Sequence, residues 1–314
     1  MKHILKTLVA AASIGVATLA SAQMSENPPN VGEEIQSMGA NLTRDIVRAT
    51  TKLYAPLIEN MPRDGVKVTS NQRYGEHERH VLDVYQPETS AGPAPAVVFI
   101  HGGRNVRGDK SGYANIGTYF ARNGMVSVLA NYRLAPEATW PNGAEDISGV
   151  ITWIKENGSD FNIDSNRIFL MGSSSGAGHV ASYIFFEENQ LANDGVAGAI
   201  LMSMPSSNLV SKFELQGEIA GGGYFGTDPD ELASMSPVFA VEGRTIPLFI
   251  AFAELEPPVI QDQNMQMIQA VFDRDGMLPK VYQASGHNHT SMTRHFNTND
   301  EALGLEIIEF LNTH

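Results

Sequence analysis

Arg167-Ile168-Phe169-Leu170-Met171-Gly172-Ser173-Ser174-Ser175-Gly176-Ala177 is the stretch whose reading decides the fold. Its first half is a short, mostly apolar run of the kind that forms a buried parallel strand. Its second half is a Gly-x-Ser-x-Gly turn, Gly172 to Gly176, that opens into a helix-length stretch over about 176 to 188. A tight turn from strand to helix holds its central side chain exposed and leaves the following backbone N–H at a helix N-terminus. Ser174 is that central residue, whereas Ser173 and Ser175 lack glycine on both sides at the required spacing. A bare serine-glycine cluster is commonly an ordinary loop. Its place between strand and helix is what makes Ser174 a candidate nucleophile.

The same strand-helix rhythm extends in both directions. Ala96 to Ile100, Val126 to Tyr132, Val196 to Met202, Leu248 to Ala253 and Lys280 to Gln283 are further short, mostly apolar runs. Helix-length stretches lie between or after them, around 112 to 123, 143 to 157, 260 to 275 and 300 to 312. Strand and helix in turn predict an α/β fold, with a mostly parallel central sheet covered by helices on both faces. Asp64 to Tyr85 carries alternating runs that suit antiparallel strands. From Glu33 to Asn60 apolar residues recur at helical spacing, interrupted by Pro56, which predicts an amphipathic helical preface. The segment 205 to 245 breaks the rhythm with Gly221-Gly222-Gly223, Pro229 and Pro237, and is expected to form a lid-like insertion over one edge of the sheet. The expected organisation is therefore a preface over 23–62 and a catalytic domain over 63–314 that contains the insertion.

The extreme N-terminus reads differently. Lys2 and Lys6 precede an uncharged run from Thr7, which ends in Ala20-Ser21-Ala22. A basic start, a short apolar stretch and small residues at a cleavage point predict a secretory signal peptide over residues 1–22. The run is short for a membrane span, so no stable membrane insertion is expected after cleavage. The expected destination is the bacterial periplasm or the medium. Zero cysteines among 314 residues fit that compartment, where disulfides are permitted but not required. They also exclude thiolate zinc sites, iron–sulfur clusters and a cysteine nucleophile. With 42% apolar and 18% charged residues the chain can bury a core, and its net charge of -14 repels phosphate backbones, which argues against nucleic acid as a partner.

A second motif, His101-Gly102-Gly103-Arg104, follows the run Ala96 to Ile100. An oxyanion needs fixed N–H donors at close range, and glycines let the backbone approach that closely. Taken alone such a turn is only a turn. Its position, well before the serine elbow and directly after a strand, suits an oxyanion loop.

At this point the chain resembles the alpha/beta-hydrolase superfamily, and within it the bacterial esterases of the hormone-sensitive-lipase-like and feruloyl-esterase-like groups. The likeness is carried by His101-Gly102-Gly103, Asn131-Tyr132-Arg133-Leu134-Ala135-Pro136-Glu137, Trp140-Pro141-Asn142-Gly143-Ala144-Glu145-Asp146, the elbow, and Gly286-His287-Asn288-His289. It spans about 65 to 312. The resemblance implies the chain order nucleophile, acid, histidine. The acid is then expected after the run Leu248 to Ala253, where the family's aspartate maps onto Glu256. Glutamate departs from that pattern, and Glu254 and Asp262 stand as alternatives. The base maps onto His289, in His289-Thr290-Ser291, with His287 as its rival. The resemblance also implies oxyanion donors at the backbone N–H groups of Gly103, Arg104 and Ser175.

These expectations describe a serine carboxylesterase acting on small to medium esters, with no cofactor and no metal. His289 takes the Ser174 proton, Ser174 attacks the carbonyl, and water releases the acyl group. Arg104, Arg107 and Lys110 place three positive charges beside the oxyanion loop of an acidic protein. They read either as a solvated loop or as a mouth that attracts a substrate carboxylate, with Arg107 as the substrate-binding candidate. An amidase such as an aryl formamidase would use the same three groups, and a non-catalytic binding protein could keep the fold. No residue pattern specifies an oligomeric state.

Overall fold

The computed structural model describes residues 29–216 and 223–314. The expected signal peptide over 1–22 lies outside the described residues. Eight strands form one sheet in the order β1-β2-β4-β3-β5-β6-β7-β8. They are β1 (Val66–Arg73), β2 (Val81–Pro87), β3 (Ala94–Ile100), β4 (Val126–Ala130), β5 (Ile163–Ser173), β6 (Val196–Met202), β7 (Leu248–Leu255) and β8 (Lys280–Asn288). The β1–β2 and β2–β4 pairs are antiparallel, and the remaining pairs are parallel. The parallel core is the expected one, since β3, β4, β6 and β7 are nearly continuous apolar runs that bury both faces.

Ten α-helices surround the sheet among the described residues: α1 (Pro29–Met38), α2 (Arg44–Glu59), α3 (Ala114–Arg122), α4 (Asn142–Asn157), α5 (Ser175–Phe185), α6 (Leu209–Gln216), α7 (Pro229–Ser234), α8 (Pro258–Asp275), α9 (Ser291–Arg294) and α10 (Ala302–Thr313). Alternation along each strand sends side chains to opposite faces, and each face has its own core. Val98, Leu170 and Ile250 meet apolar residues of α4, α5 and α8 on one face. Phe99, Phe169 and Phe249 meet Phe120 of α3 and Phe310 of α10 on the other. The sheet is an α/β-hydrolase core in which β5 through β8 deliver their C-terminal ends to one edge. No helix of the described residues is long and apolar enough to cross a membrane.

Two sequence expectations are corrected in detail. The preface breaks at Gly39 to Thr43 and not at Pro56, because Gly39 ends α1 at φ +64° and the Thr43 hydroxyl accepts the N–H of Ile46 to start α2. Pro56 sits in the last part of α2, where its missing N–H leaves most of the helix's bonds in place. Lys110 does not stand free at a mouth. Its side chain is buried, with Nζ 2.7 Å from Asp83 Oδ1 on β2 and 2.8 Å from Asn71 Oδ1 on β1. The same Asp83 oxygen accepts the N–H of Asn71, whose φ of +57° lies at an irregularity in the β1–β2 pairing. Lys110 therefore ties the antiparallel margin of the sheet to the loop that follows β3.

The preface packs on the far end of the sheet. Val31, Ile35 and Tyr54 form a small core with Leu255 at the end of β7, and Asn288 Nδ2, at the end of β8, donates to Thr50 Oγ1 over 2.8 Å. The segment 205–245 contains α6 and α7, and Leu209 of α6, Leu232 of α7 and Met235 just past α7 pack with Trp140.

Candidate active site

The elbow is built from backbone crowding. Ser174 has φ 55° and ψ -126° at the junction of β5 and α5, with its N–H bonded to the carbonyl of Met202 on the neighbouring β6. A non-glycine residue held at positive φ is strained, and such strain persists only where the surroundings fix it. Gly176 is required because a Cβ there would lie 2.1 Å from the carbonyl oxygen of Ile100, at the end of β3. The helix start is thereby pressed against the beginning of the His101 loop. Reciprocally, a Cβ on Gly102 would lie 2.9 Å from Ser174 Cβ. Two glycines from separate motifs thus allow the 101–104 loop and the elbow to touch. Gly103, Arg104 and Asn105 follow at φ 147°, 60° and 64°, which turns the loop sharply beside the serine. Among the described residues the N–H groups of Gly103 and Arg104 donate to no acceptor. Ser175 opens α5, so its N–H belongs to a helix N-terminus.

His101 braces this loop from below. It is fully buried, its Nδ1 lies 2.8 Å from the carbonyl oxygen of Gly102, and its ring stacks on Tyr132 at 4.5 Å. Burial pushes its imidazole down to about 4, so it stays neutral at ordinary pH.

Glu256 and His289 meet at the other end of the same sheet edge. The β7–β8 pairing sets Leu255 opposite Asn288, so the next residue along each strand is Glu256 or His289. Glu256 Oε2 lies 2.8 Å from His289 Nδ1. The Glu256 side chain is wholly buried and that of His289 is 11% exposed. Glu256 Oε1 has no hydrogen-bond partner among the described residues, which leaves the carboxylate committed to the imidazole. The contact also fixes the tautomer: with Nδ1–H donated to Glu256, Nε2 is the free lone pair.

The rival residues are otherwise engaged. Glu254 is exposed, and its Oε2 accepts the N–H of Gly286 at 2.7 Å. Asp262 sits on α8 and accepts from Gln266 Nε2. His287 is buried between Asp300, 2.9 Å from its Nε2, and the Ser291 hydroxyl, 2.9 Å from its Nδ1. That buried serine, histidine and aspartate share the bonding order of a catalytic triad, but Ser291 is 0% exposed and no substrate reaches it. The arrangement instead holds the turn after His289, since Ser291 Oγ also accepts the N–H of Asn288.

Ser174 is partly exposed, and its hydroxyl makes no hydrogen bond among the described residues. Unliganded catalytic hydroxyls are often loosely held until substrate closes the contact. Arg104 and Arg107 are exposed on the 101–109 turn, with no hydrogen bond or ion pair among the described residues. No group of three or more His, Asp or Glu among the described residues is placed to hold a metal ion. Sequence reasoning missed Thr50, which holds Asn288, and Lys212, a buried cation on α6. Neither lies in a motif. An apolar helical stripe interrupted by one threonine, and a lysine in the insertion, carry no signal until their neighbours are known.

Comparison with known proteins agrees with this architecture. The BD-FAE family model matches residues 82–271. A probable isoprenylcysteine alpha-carbonyl methylesterase of Arabidopsis thaliana, ICMEL2, is 38% identical over 115 residues, which cover 37% of this chain and 27% of that protein. Esterase LipC of Mycobacterium tuberculosis is 34% identical over 112 residues, covering 35% of this chain and 27% of its own. The chain thus spans little more than a quarter of the length of these relatives. Esterase B from Lactobacillus rhamnosis, solved with a tributyrin phosphonate inhibitor, superposes with a TM-score of 0.68 at 18% identity, covering 90% of this chain and 95% of that one. That likeness is one of fold. A family match over more than half of its length establishes that the chain belongs to the BD-FAE family.

Proposed function

We propose that this chain is a serine carboxylesterase of the periplasm or medium, cleaving small to medium carboxylic esters through an acyl-enzyme, with Ser174 as nucleophile, His289 as base and Glu256 as the orienting acid. The 2.8 Å contact between the buried Glu256 carboxylate and His289 Nδ1 carries the reading, because it leaves Nε2 to act as a base. His289 Nε2 takes the Ser174 proton as Oγ bonds to the ester carbonyl carbon. The carbonyl π electrons move onto its oxygen, and the N–H groups of Gly103, Arg104 and Ser175 hold that oxyanion. Collapse breaks the bond to the alcohol, which leaves with the proton from His289. Water then repeats the sequence in place of Ser174, releasing the acid and restoring the serine. The buried carboxylate stabilises the imidazolium at each proton transfer.

Glutamate suits this site because its strand ends one residue before it. The side chain of Glu256 starts at the margin of β7 and needs its length to reach the ring. The exposed Arg107 belongs to the rim of the pocket, where it favours substrates with negative charge. The esterase relatives support the reaction type, and the free N–H groups beside Ser174 support the oxyanion assignment. Hydrolysis of p-nitrophenyl butyrate by the purified wild type and by Ser174→Ala tests the proposal. Turnover by the wild type and loss of at least about a thousandfold in the variant are expected. Equal turnover by both proteins would overturn it.

A further inference from the structure

Arg79 stands half-buried in the turn between β1 and β2, and its guanidinium reaches three groups around the 101–109 loop. Nε donates to the carbonyl oxygen of Tyr132 over 2.7 Å, and Nη2 donates to the carbonyl oxygen of Gly108 over 2.9 Å. Nη2 also lies 3.5 Å from His101 Nε2. The direction of that last contact follows from the other side of the ring. A carbonyl oxygen only accepts, so the 2.8 Å contact between His101 Nδ1 and the oxygen of Gly102 places the ring proton on Nδ1 and leaves Nε2 a lone pair. A guanidinium only donates, and Nη2 donates to that lone pair. Tyr132 stacks on the same ring, and its hydroxyl donates to the carbonyl of His101 at 3.1 Å, so Arg79 holds both the imidazole and its support. Gly108 passes so close beneath them that a Cβ on it would collide with His101 Nδ1 and the oxygen of Gly102.

The chain of contacts does not end at Gly102. Its carbonyl belongs to the same peptide group as the N–H of Gly103, which is the first of the proposed oxyanion donors. A hydrogen bond accepted at an amide oxygen polarises the amide and strengthens its N–H as a donor, and successive bonds reinforce one another. We infer that Arg79 is a positioning residue of the oxyanion site, whose guanidinium acts through His101 and the carbonyl of Gly102 to aim and polarise the N–H of Gly103. The inference rests on the serine-esterase reading and extends it to a residue outside every motif of the sequence. No proton is transferred along this path: each stays on its atom, and only the polarisation is passed on. Full negative charge on the substrate oxygen exists only in the tetrahedral species, so Arg79 contributes there and little to substrate binding.

Arg79→Ala and Arg79→Lys test it on p-nitrophenyl butyrate. Arg79→Ala should lower kcat about tenfold to a hundredfold, less than the loss of an oxyanion donor itself, with KM within about twofold of the wild type. Affinity for a trifluoromethyl ketone, whose adduct with the serine carries the oxyanion, should fall in the same proportion. Millimolar methylguanidinium should restore part of the kcat of Arg79→Ala, where tetramethylammonium at the same concentration does not. Arg79→Lys keeps the charge and loses the fork, and should fall between the wild type and Arg79→Ala. A measurement on the wild type needs no folded alanine variant: 15N-histidine NMR should show His101, assigned by the loss of its signals in His101→Asn, as the neutral Nδ1–H tautomer. Unchanged kcat and inhibitor affinity in the folded variants, or an Nε2–H tautomer of His101, overturn the role of Arg79 while ester hydrolysis itself stands. A wild type that neither cleaves the ester nor binds the ketone overturns the esterase reading and this inference with it.

Discussion

Glu256 and His289 are brought into contact by an irregularity in strand pairing. Ala253 pairs with Ala284 and Leu255 with Asn288, so β8 carries a bulge where β7 runs straight. Gly286 lies in that bulge at φ 73°, and its N–H is held by the Glu254 carboxylate. Bulges re-aim the residues that follow them and occur often beside active sites. Here the bulge advances β8 until His289 stands level with Glu256.

Removing the charge of Glu256 should therefore leave the fold and disable the imidazole. Glu256→Gln is expected to lower kcat by roughly a hundredfold to ten-thousandfold with little change in KM, because the amide favours the wrong tautomer of His289. Glu256→Asp keeps the charge but withdraws one methylene from a 2.8 Å contact, and should fall between the two. Steady-state kinetics on a neutral ester checks both. A Gln variant with wild-type kcat would remove Glu256 from the mechanism.

A hydrogen bond links α2 to the same loop. Thr50 is fully buried, and its hydroxyl accepts from Asn288 Nδ2, next to His289 in sequence. Asn288 Oδ1 in turn accepts the N–H groups of Thr290 and Ser291. Thr50→Val leaves the Asn288 amide without an acceptor, which should cost about 1–3 kcal/mol. Chemical denaturation checks the magnitude, and Thr50→Ser should recover most of it. A kcat that falls while KM stays constant would show the bond positioning His289 as well as stabilising the fold.

Acid stability follows from buried imidazoles. Burial pushes His101 and His295 down to about 4 and His179 down to about 3, with a neighbouring histidine adding to the shift of His179 and of His295. Each titrates near 6.5 in the unfolded chain, so below that pH the unfolded state binds protons that the native state refuses. The stability they confer is complete above pH 6.5 and is lost as pH falls towards 4. Each group contributes a slope of up to about 1.4 kcal/mol per pH unit across that window. Urea unfolding at pH 7 and pH 5 should differ by several kcal/mol, with the protein weaker at pH 5. Equal midpoints at the two pH values would contradict the burial of these rings.

The parallel core was legible because its strands bury both faces and so read as continuous apolar runs. The end of β8 was not. Ala284-Ser285-Gly286 reads as a turn, and only pairing with β7 makes it a bulged strand. The segments 131–137 and 140–146, which carry the resemblance to esterases, do not reveal their own work, which is structural: buried Asp146 accepts from the backbone N–H and the guanidinium of Arg133 and lies 3.0 Å from His80 Nε2. Lys110 fits neither the solvated loop nor the mouth charge that its sequence context offers, because its partner, Asp83, is 27 positions away on another strand. Lys212 was invisible for the converse reason. A charged residue in an irregular segment is ordinarily solvated, and its burial depends on how α6 docks.

The central claim is that Ser174 is a nucleophile activated by His289, and covalent trapping tests it most directly. A fluorophosphonate incubated with the wild type should leave one phosphonyl adduct, mapped by peptide mass spectrometry to Ser174. The adduct should disappear in Ser174→Ala and form far more slowly in His289→Ala. An adduct on another residue, or no adduct on folded wild-type protein, would contradict the account.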